Sequence, residues 1–214
     1  MATHLDLEEQ EQLDQLKHFW NKWGTLITTV LVIVLGGYAA WNGYQYWQNR
    51  QGAQASALSS AVESAINSGD KARIDQAFGD LRGSYGGTQQ AAHAGLLVAK
   101  AASDKGNLDD AKAALTWVAD NASDDGLKAM ARVRLAAVLM STQAYDEALK
   151  QLDTKMPTEF DAIVADGKGD VYLAKGDKAK AIESYKAAYQ KTEPGIEYRN
   201  VISVKLNALG EDVK

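Results

Sequence analysis

The chain has 214 residues, with 23 Lys plus Arg against 28 Asp plus Glu and a formal net charge of −5. A 46% hydrophobic and 24% charged composition, with 2 prolines and 18 glycines, excludes low-complexity disorder and collagen-like or proline-rich chains. The acidic balance argues against nucleic acid as a partner, and the absence of cysteine excludes a disulfide framework, a thiolate metal site and a thiol nucleophile.

Residues 1–22 read as a tail carrying Asp6, Glu8, Glu9, Glu11 and Asp14. Leu13, Leu16 and Trp20 recur at helical spacing and predict one apolar helix side. From Lys22 to Arg50 there follow 27 residues without a charged side chain, centred on Leu26-Ile27-Thr28-Thr29-Val30-Leu31-Val32-Ile33-Val34-Leu35. Trp23 to Tyr44 is 22 residues, about 33 Å of helix against a hydrocarbon core about 30 Å thick. Aromatic side chains bracket this stretch: Trp20 and Trp23 before it, Trp41, Tyr44 and Trp47 after it. They are expected at the two lipid–water interfaces, a reading that takes all five tryptophans as interfacial. A cleaved signal peptide would start with a basic region, not an acidic one. Residues 23–46 are therefore expected to be an uncleaved signal anchor inserted in the lipid bilayer. Lys17 and Lys22 outnumber Arg50 beside the span, so the N-terminus is expected in the cytoplasm and the C-terminal part in the periplasm of an inner membrane. Residues 47–56 read as a juxtamembrane linker.

Beyond the linker, a period emerges. Ile74, Ala111, Ala148 and Ala181 are spaced by 37, 37 and 33 residues. The same offsets relate Phe78, Leu115, Leu152 and Tyr185. They also relate Ala65, Ala102, Leu139 and Tyr172, and finally Val62, Ala99, Ala136 and Gly169. A small column beside larger ones is the demand of two closely packed helices. Turns are expected at Gly69, Gly106, Gln143 and Gly176, where glycine can end a helix in the left-handed conformation; Gln143 breaks the pattern. Asp70, Asn107 and Asp177 follow as candidate caps, and Pro157 and Pro194 stand where second helices must stop. The expected fold is all-α: one N-terminal transmembrane helix, a solenoid of four helix pairs over 57–194, and a capping helix over 195–214. That last helix, Glu197 to Leu209, is expected to bury Ile202, Leu206 and Leu209. The pattern resembles the tetratricopeptide repeat, best in Gly169-x-x-Tyr172, Gly176-Asp177, Ala181, Tyr185, Ala188 and Pro194.

Chemistry is sparse. His4, His18 and His93 cannot share a metal under this topology, and His93 is expected as a partly exposed helix residue. Gly83-Ser84-Tyr85-Gly86-Gly87-Thr88 lacks the Lys-Ser/Thr of a phosphate cradle and reads as a flexible inter-repeat loop. Asp166-Gly167-Lys168-Gly169-Asp170 lacks the ligand spacing of a calcium loop. Asp109-Asp110 and Asp124-Asp125 read as caps and loop charges. No catalytic residue, metal site or cofactor is expected, and the chain is not read as an enzyme. What remains is a surface. First helices of stacked pairs line a concave face, and Met130, Val133, Ala137, Met140, Ile163, Asp166, Asp170 and Leu173 are the candidate partner-binding groove.

An acidic tail, one anchor with aromatic belts and about 160 residues of degenerate repeats together resemble the YfgM family of ancillary translocon subunits. The residues that carry this are Asp6 to Asp14, Lys17 to Trp23, the span with Gly36-Gly37, and the repeats. The resemblance implies association with the SecYEG translocon and with a PpiD-type membrane-anchored periplasmic chaperone. It further implies a role in passing newly translocated proteins to periplasmic chaperones. It also implies, as an alternative, restraint of a cytoplasmic stress-response regulator through the tail.

Overall fold

Alternating helices and tight turns build the chain, and a computed structural model describes residues 7–212. His4 and the start of the tail lie outside the described residues. Two units are distinguished, Met1–Arg50 and Gln51–Lys214.

The first unit is helical throughout its described part, within α1 (Leu7–Ser68). Leu13, Leu16 and Trp20 are exposed on it, as are Leu26 and the run Val30 to Leu35. So much apolar surface is unfavourable in water and favourable in lipid, and α1 is long and apolar enough to cross a membrane. Three of its polar side chains bond back to the helix: Thr28 and Thr29 donate to the carbonyls of Gly24 and Thr25, each at 2.7 Å, and Asn42 donates to Tyr38 O at 2.9 Å. A helix surrounded by hydrocarbon needs that internal pairing. Trp20, Trp23, Trp41, Tyr44 and Trp47 are all exposed. Residues 47–56 are helical and belong to α1. Trp117 departs from the interfacial expectation: it sits far down the chain with its ring edge-on to Phe78, centroids 5.3 Å apart. Such a pair is worth about 1 kcal/mol beyond its buried area.

In the second unit the end of α1 is followed by α2 (Lys71–Tyr85), α3 (Gln89–Asp104), α4 (Leu108–Asn121), α5 (Asp125–Ser141) and α6 (Tyr145–Leu152). A short 3-10 turn (Thr158–Phe160) leads into α7 (Asp161–Ala174), α8 (Lys178–Lys191) and α9 (Glu197–Ala208). The offset columns are core positions. Ile74, Ala111, Ala148 and Ala181 are buried, as are Phe78, Leu115, Leu152 and Tyr185. A Cβ on Gly169 would run into the Tyr185 ring, so the smallest member of one column faces the largest of the next. Gly95 on α3 is held as closely, since a Cβ there would lie 2.5 Å from Val118 Cγ2. Ile202 and Leu206 of α9 are fully buried against Ala165, Ala181, Tyr185 and Ala188, while Leu209 is only partly covered.

Asp70 and Asp177 cap α2 and α8 by accepting backbone N–H bonds, and Asp124 does so for α5. Asn107 does not; its side chain makes no capping bond to α4. The glycine-rich stretch is less of a loop than expected. Gly83 to Tyr85 finish α2, and Thr88 already caps α3 by accepting from Ala91 N.

The turn positions share one geometry. Gly69, Gly106 and Gly176 have φ of 74°, 76° and 82°, and Gln143 joins them at 61°. After α5, Gln143 N donates to Met140 O at 3.0 Å and Ala144 N to Leu139 O at 2.8 Å. This is the paired closure that satisfies the last carbonyls of a helix. Glycine is at ease there, but a residue with a Cβ is disfavoured by about 1–2 kcal/mol. Gln143→Gly relieves that strain and gives back about 0.5–1 kcal/mol through a looser unfolded chain. The net expectation is a gain of about 0.5–1 kcal/mol, or roughly 2 °C in Tm. Calorimetry of the variant beside the parent checks this, and an unchanged or lower Tm contradicts it.

Candidate functional site

The first helices of the last two pairs, α5 and α7, stand side by side. Between them and α9 lies a cleft of about 180 Å³. Val133, Ala137 and Met140 line it from α5; Ile163, Asp166 and Asp170 line it from α7; Tyr198 closes it from α9. Six of the eight candidate groove residues are thus brought together. Met130 packs on the main core instead. Leu173 is 43% exposed and outside the cleft. His93 is exposed on α3. Among the described residues there is no group of three or more His, Cys, Asp or Glu that could hold a metal.

One end of the cleft is a charged latch. Asp166 is only 6% exposed, a costly position for a carboxylate without partners. Lys205 Nζ reaches its Oδ1 at 2.8 Å and Oδ2 at 2.9 Å, and Asp170 Oδ1 and Oδ2 at 2.7 and 2.9 Å. The Tyr198 hydroxyl donates to Asp166 Oδ2 and the Tyr185 hydroxyl to Asp170 Oδ1, both at 2.7 Å. Burial, reinforced by these hydrogen bonds to carboxylates, pushes both phenols above the ordinary tyrosine range. Burial alone lowers the Lys205 ammonium, but its bonds to Asp166 and Asp170 outweigh that and leave it raised. Arg199 completes the docking of α9: it stacks 4.1 Å from the centroid of the Tyr189 ring and donates to Thr192 O at 3.1 Å.

Sequence reasoning placed Asp166 and Asp170 in the groove but missed Lys205, Tyr198 and the Tyr185 hydroxyl as their partners. A signal existed. Tyr198, Ile202 and Lys205 recur at helical spacing on α9, facing carboxylates that are likewise one turn apart on α7.

The description "Tetratricopeptide repeat-like domain" fits residues 17–211, the family model covering most of the chain. A protein of Neisseria gonorrhoeae described as "Ancillary SecYEG translocon subunit" is 34% identical over 213 residues, spanning 98% of this chain and 100% of its own. The chain belongs to the ancillary SecYEG translocon subunit family. Relatives of the same description from Haemophilus influenzae and Escherichia coli are 32% and 29% identical. They cover 86% and 94% of this chain, and 90% and 96% of their own length. The all-α repeat architecture and the apolar N-terminal helix therefore stand on the fold and the family together.

The latch has a pH signature. A Lys205 ammonium held above its usual value stabilises the fold below the unfolded lysine pKa of 10.5 and loses that contribution as pH rises further. The two raised phenols act in the same direction, above their ordinary value of 10.0. Denaturant midpoints are expected to hold to about pH 9 and fall steeply above about pH 10, less steeply in Tyr198→Phe. Equal slopes for parent and variant between pH 9 and 11 contradict this.

Proposed function

We propose that this protein is a non-enzymatic, membrane-anchored interaction subunit of the SecYEG translocon that helps pass newly translocated proteins to periplasmic chaperones. The observation that carries this reading is the reach of the similarity. Relatives described as ancillary SecYEG translocon subunits align over nearly the whole chain, span-bearing helix and repeats alike. A repeat array shared with unrelated proteins would match the second unit only.

In this reading α1 is a single-pass inner-membrane anchor with residues 1–22 cytoplasmic, 23–46 in the bilayer and the helix pairs in the periplasm. The excess of Lys17 and Lys22 over Arg50 supports that orientation. The cleft between α5 and α7 is the docking face for emerging chains. A PpiD-type membrane-anchored chaperone receives them. Tethering makes weak contacts sufficient, since a binding face held near the channel exit works at high effective concentration and can still release quickly.

A second reading rests on the exposed Leu13, Leu16 and Trp20 of the tail: a cytoplasmic stress-response regulator bound there and restrained. Purification of the tagged, full-length protein from membranes in mild detergent, with mass spectrometry of what accompanies it, separates the two. Channel subunits and a periplasmic chaperone are expected to co-purify, and to remain after deletion of residues 1–16. Recovery of cytoplasmic regulators alone contradicts the handover reading.

A further inference from the structure

The charges at the end of the cleft do not balance. Asp166 and Asp170 bring two negative charges, and Lys205 brings one positive charge shared among all four carboxylate oxygens. The Tyr185 and Tyr198 hydroxyls donate hydrogen bonds but no charge. Among the described residues no other lysine or arginine bonds either carboxylate: Arg132 pairs with Asp120, Lys168 with Asp153, and Arg199 lies over the Tyr189 ring. Among the described residues, no lysine or arginine lines the cleft. Within this bonded cluster one negative charge is left over. It is reachable at Asp170, whose side chain is 33% exposed, against 9% for that of Asp166.

The cleft's other walls are aliphatic, chiefly Val133, Met140 and Ile163. A charge beside such a surface is poorly screened, so it attracts a cation and repels an anion more strongly than it would in open water. At about 180 Å³ the space suits a few side chains of a polypeptide. It is smaller than the roughly 300–1,000 Å³ usual for small-molecule pockets.

We propose that the cleft receives an apolar peptide segment bearing one lysine or arginine, its alkyl stem along the aliphatic wall and its cationic head on Asp170. This rests on the cleft being the docking face, as argued above. It adds the chemistry of what docks.

The test uses the full-length protein in lipid nanodiscs, with empty nanodiscs as the reference for lipid binding. Three fluorescent ten-residue peptides share an alanine, leucine and valine sequence and carry a single central lysine, norleucine or glutamate. Anisotropy titrations are expected to show the lysine peptide binding about tenfold tighter than the norleucine peptide, the increment of one partly exposed charge-assisted hydrogen bond. The glutamate peptide is expected to bind more weakly than either. Asp170→Asn should erase the lysine advantage and leave norleucine affinity in place. Ala137→Trp, which fills the cleft from α5, should weaken all three. Equal binding of the lysine and norleucine peptides to the parent protein overturns the charge assignment; the cleft reading survives that result if Ala137→Trp still abolishes binding. Absence of binding by any peptide, or binding indifferent to Ala137→Trp, overturns both. The peptide series on the unmutated protein keeps the proposal falsifiable should Asp170→Asn fold poorly.

Discussion

Close approach of helices within each pair is the constraint on which the repeat unit rests. Where Gly169 lies under the Tyr185 ring there is no room for a methyl group, and at the same offsets the earlier pairs bury Ala136 and Leu152, and Ala99 and Leu115. Small against large at a fixed offset lets the second helix lie back on the first and bury both apolar stripes. The tight turn at each pair makes that return possible within a few residues, and Gln143 adopts the same left-handed conformation as its glycine counterparts although its side chain disfavours it. Tertiary packing over the rest of the third pair therefore outweighs a local preference. The cleft is a product of this spacing: α5 and α7 stand side by side because each is held by its own partner helix.

The latch shows how a terminal helix can be both cap and boundary. A solenoid needs its last apolar face covered, and α9 does this with Ile202 and Leu206 fully buried. Apolar contact alone would allow α9 to rotate. The Lys205 ammonium between two carboxylates, with a tyrosine hydroxyl on each, fixes the rotation, since few geometries satisfy all four partners at once. Asp166 and Asp170 are thus mostly occupied by the protein itself. The part of their charge open to a partner is what Asp170 presents at the cleft edge.

Much of this was legible in the sequence, for a physical reason. Helix pairing is a short-range matter, and the residues that enforce it recur at offsets of 37, 37 and 33. The turns, the buried columns and the fold class follow from that, and the apolar stretch from its length and lack of charge. What was not legible depended on rotation and on details of hydrogen bonding. Asn107 has the chemistry of a cap, but its side chain makes no bond to α4. Trp117, grouped by residue type with the interfacial tryptophans, owes its place to an edge-on contact with Phe78. Lys205 pairs across 35 and 39 residues with helix positions whose facing is set only once α9 has docked. Six of the eight candidate groove residues converge because they share the facing sides of α5 and α7; Met130 and Leu173 fall on neighbouring faces of the same two helices.

In the proposed function, emerging chains contact the cleft between α5 and α7 while α1 holds the protein at the membrane. Site-specific photocrosslinking checks this contact. A photoreactive residue is placed at Ala137 inside the cleft and, for comparison, at Lys150 and Gln190, exposed positions on the second helices. Each full-length variant is then irradiated in membranes during translocation of a radiolabelled secretory chain. Adducts with the translocating chain are expected from position 137, and few from 150 or 190. Adducts of equal strength from all three, or none from 137, would contradict it.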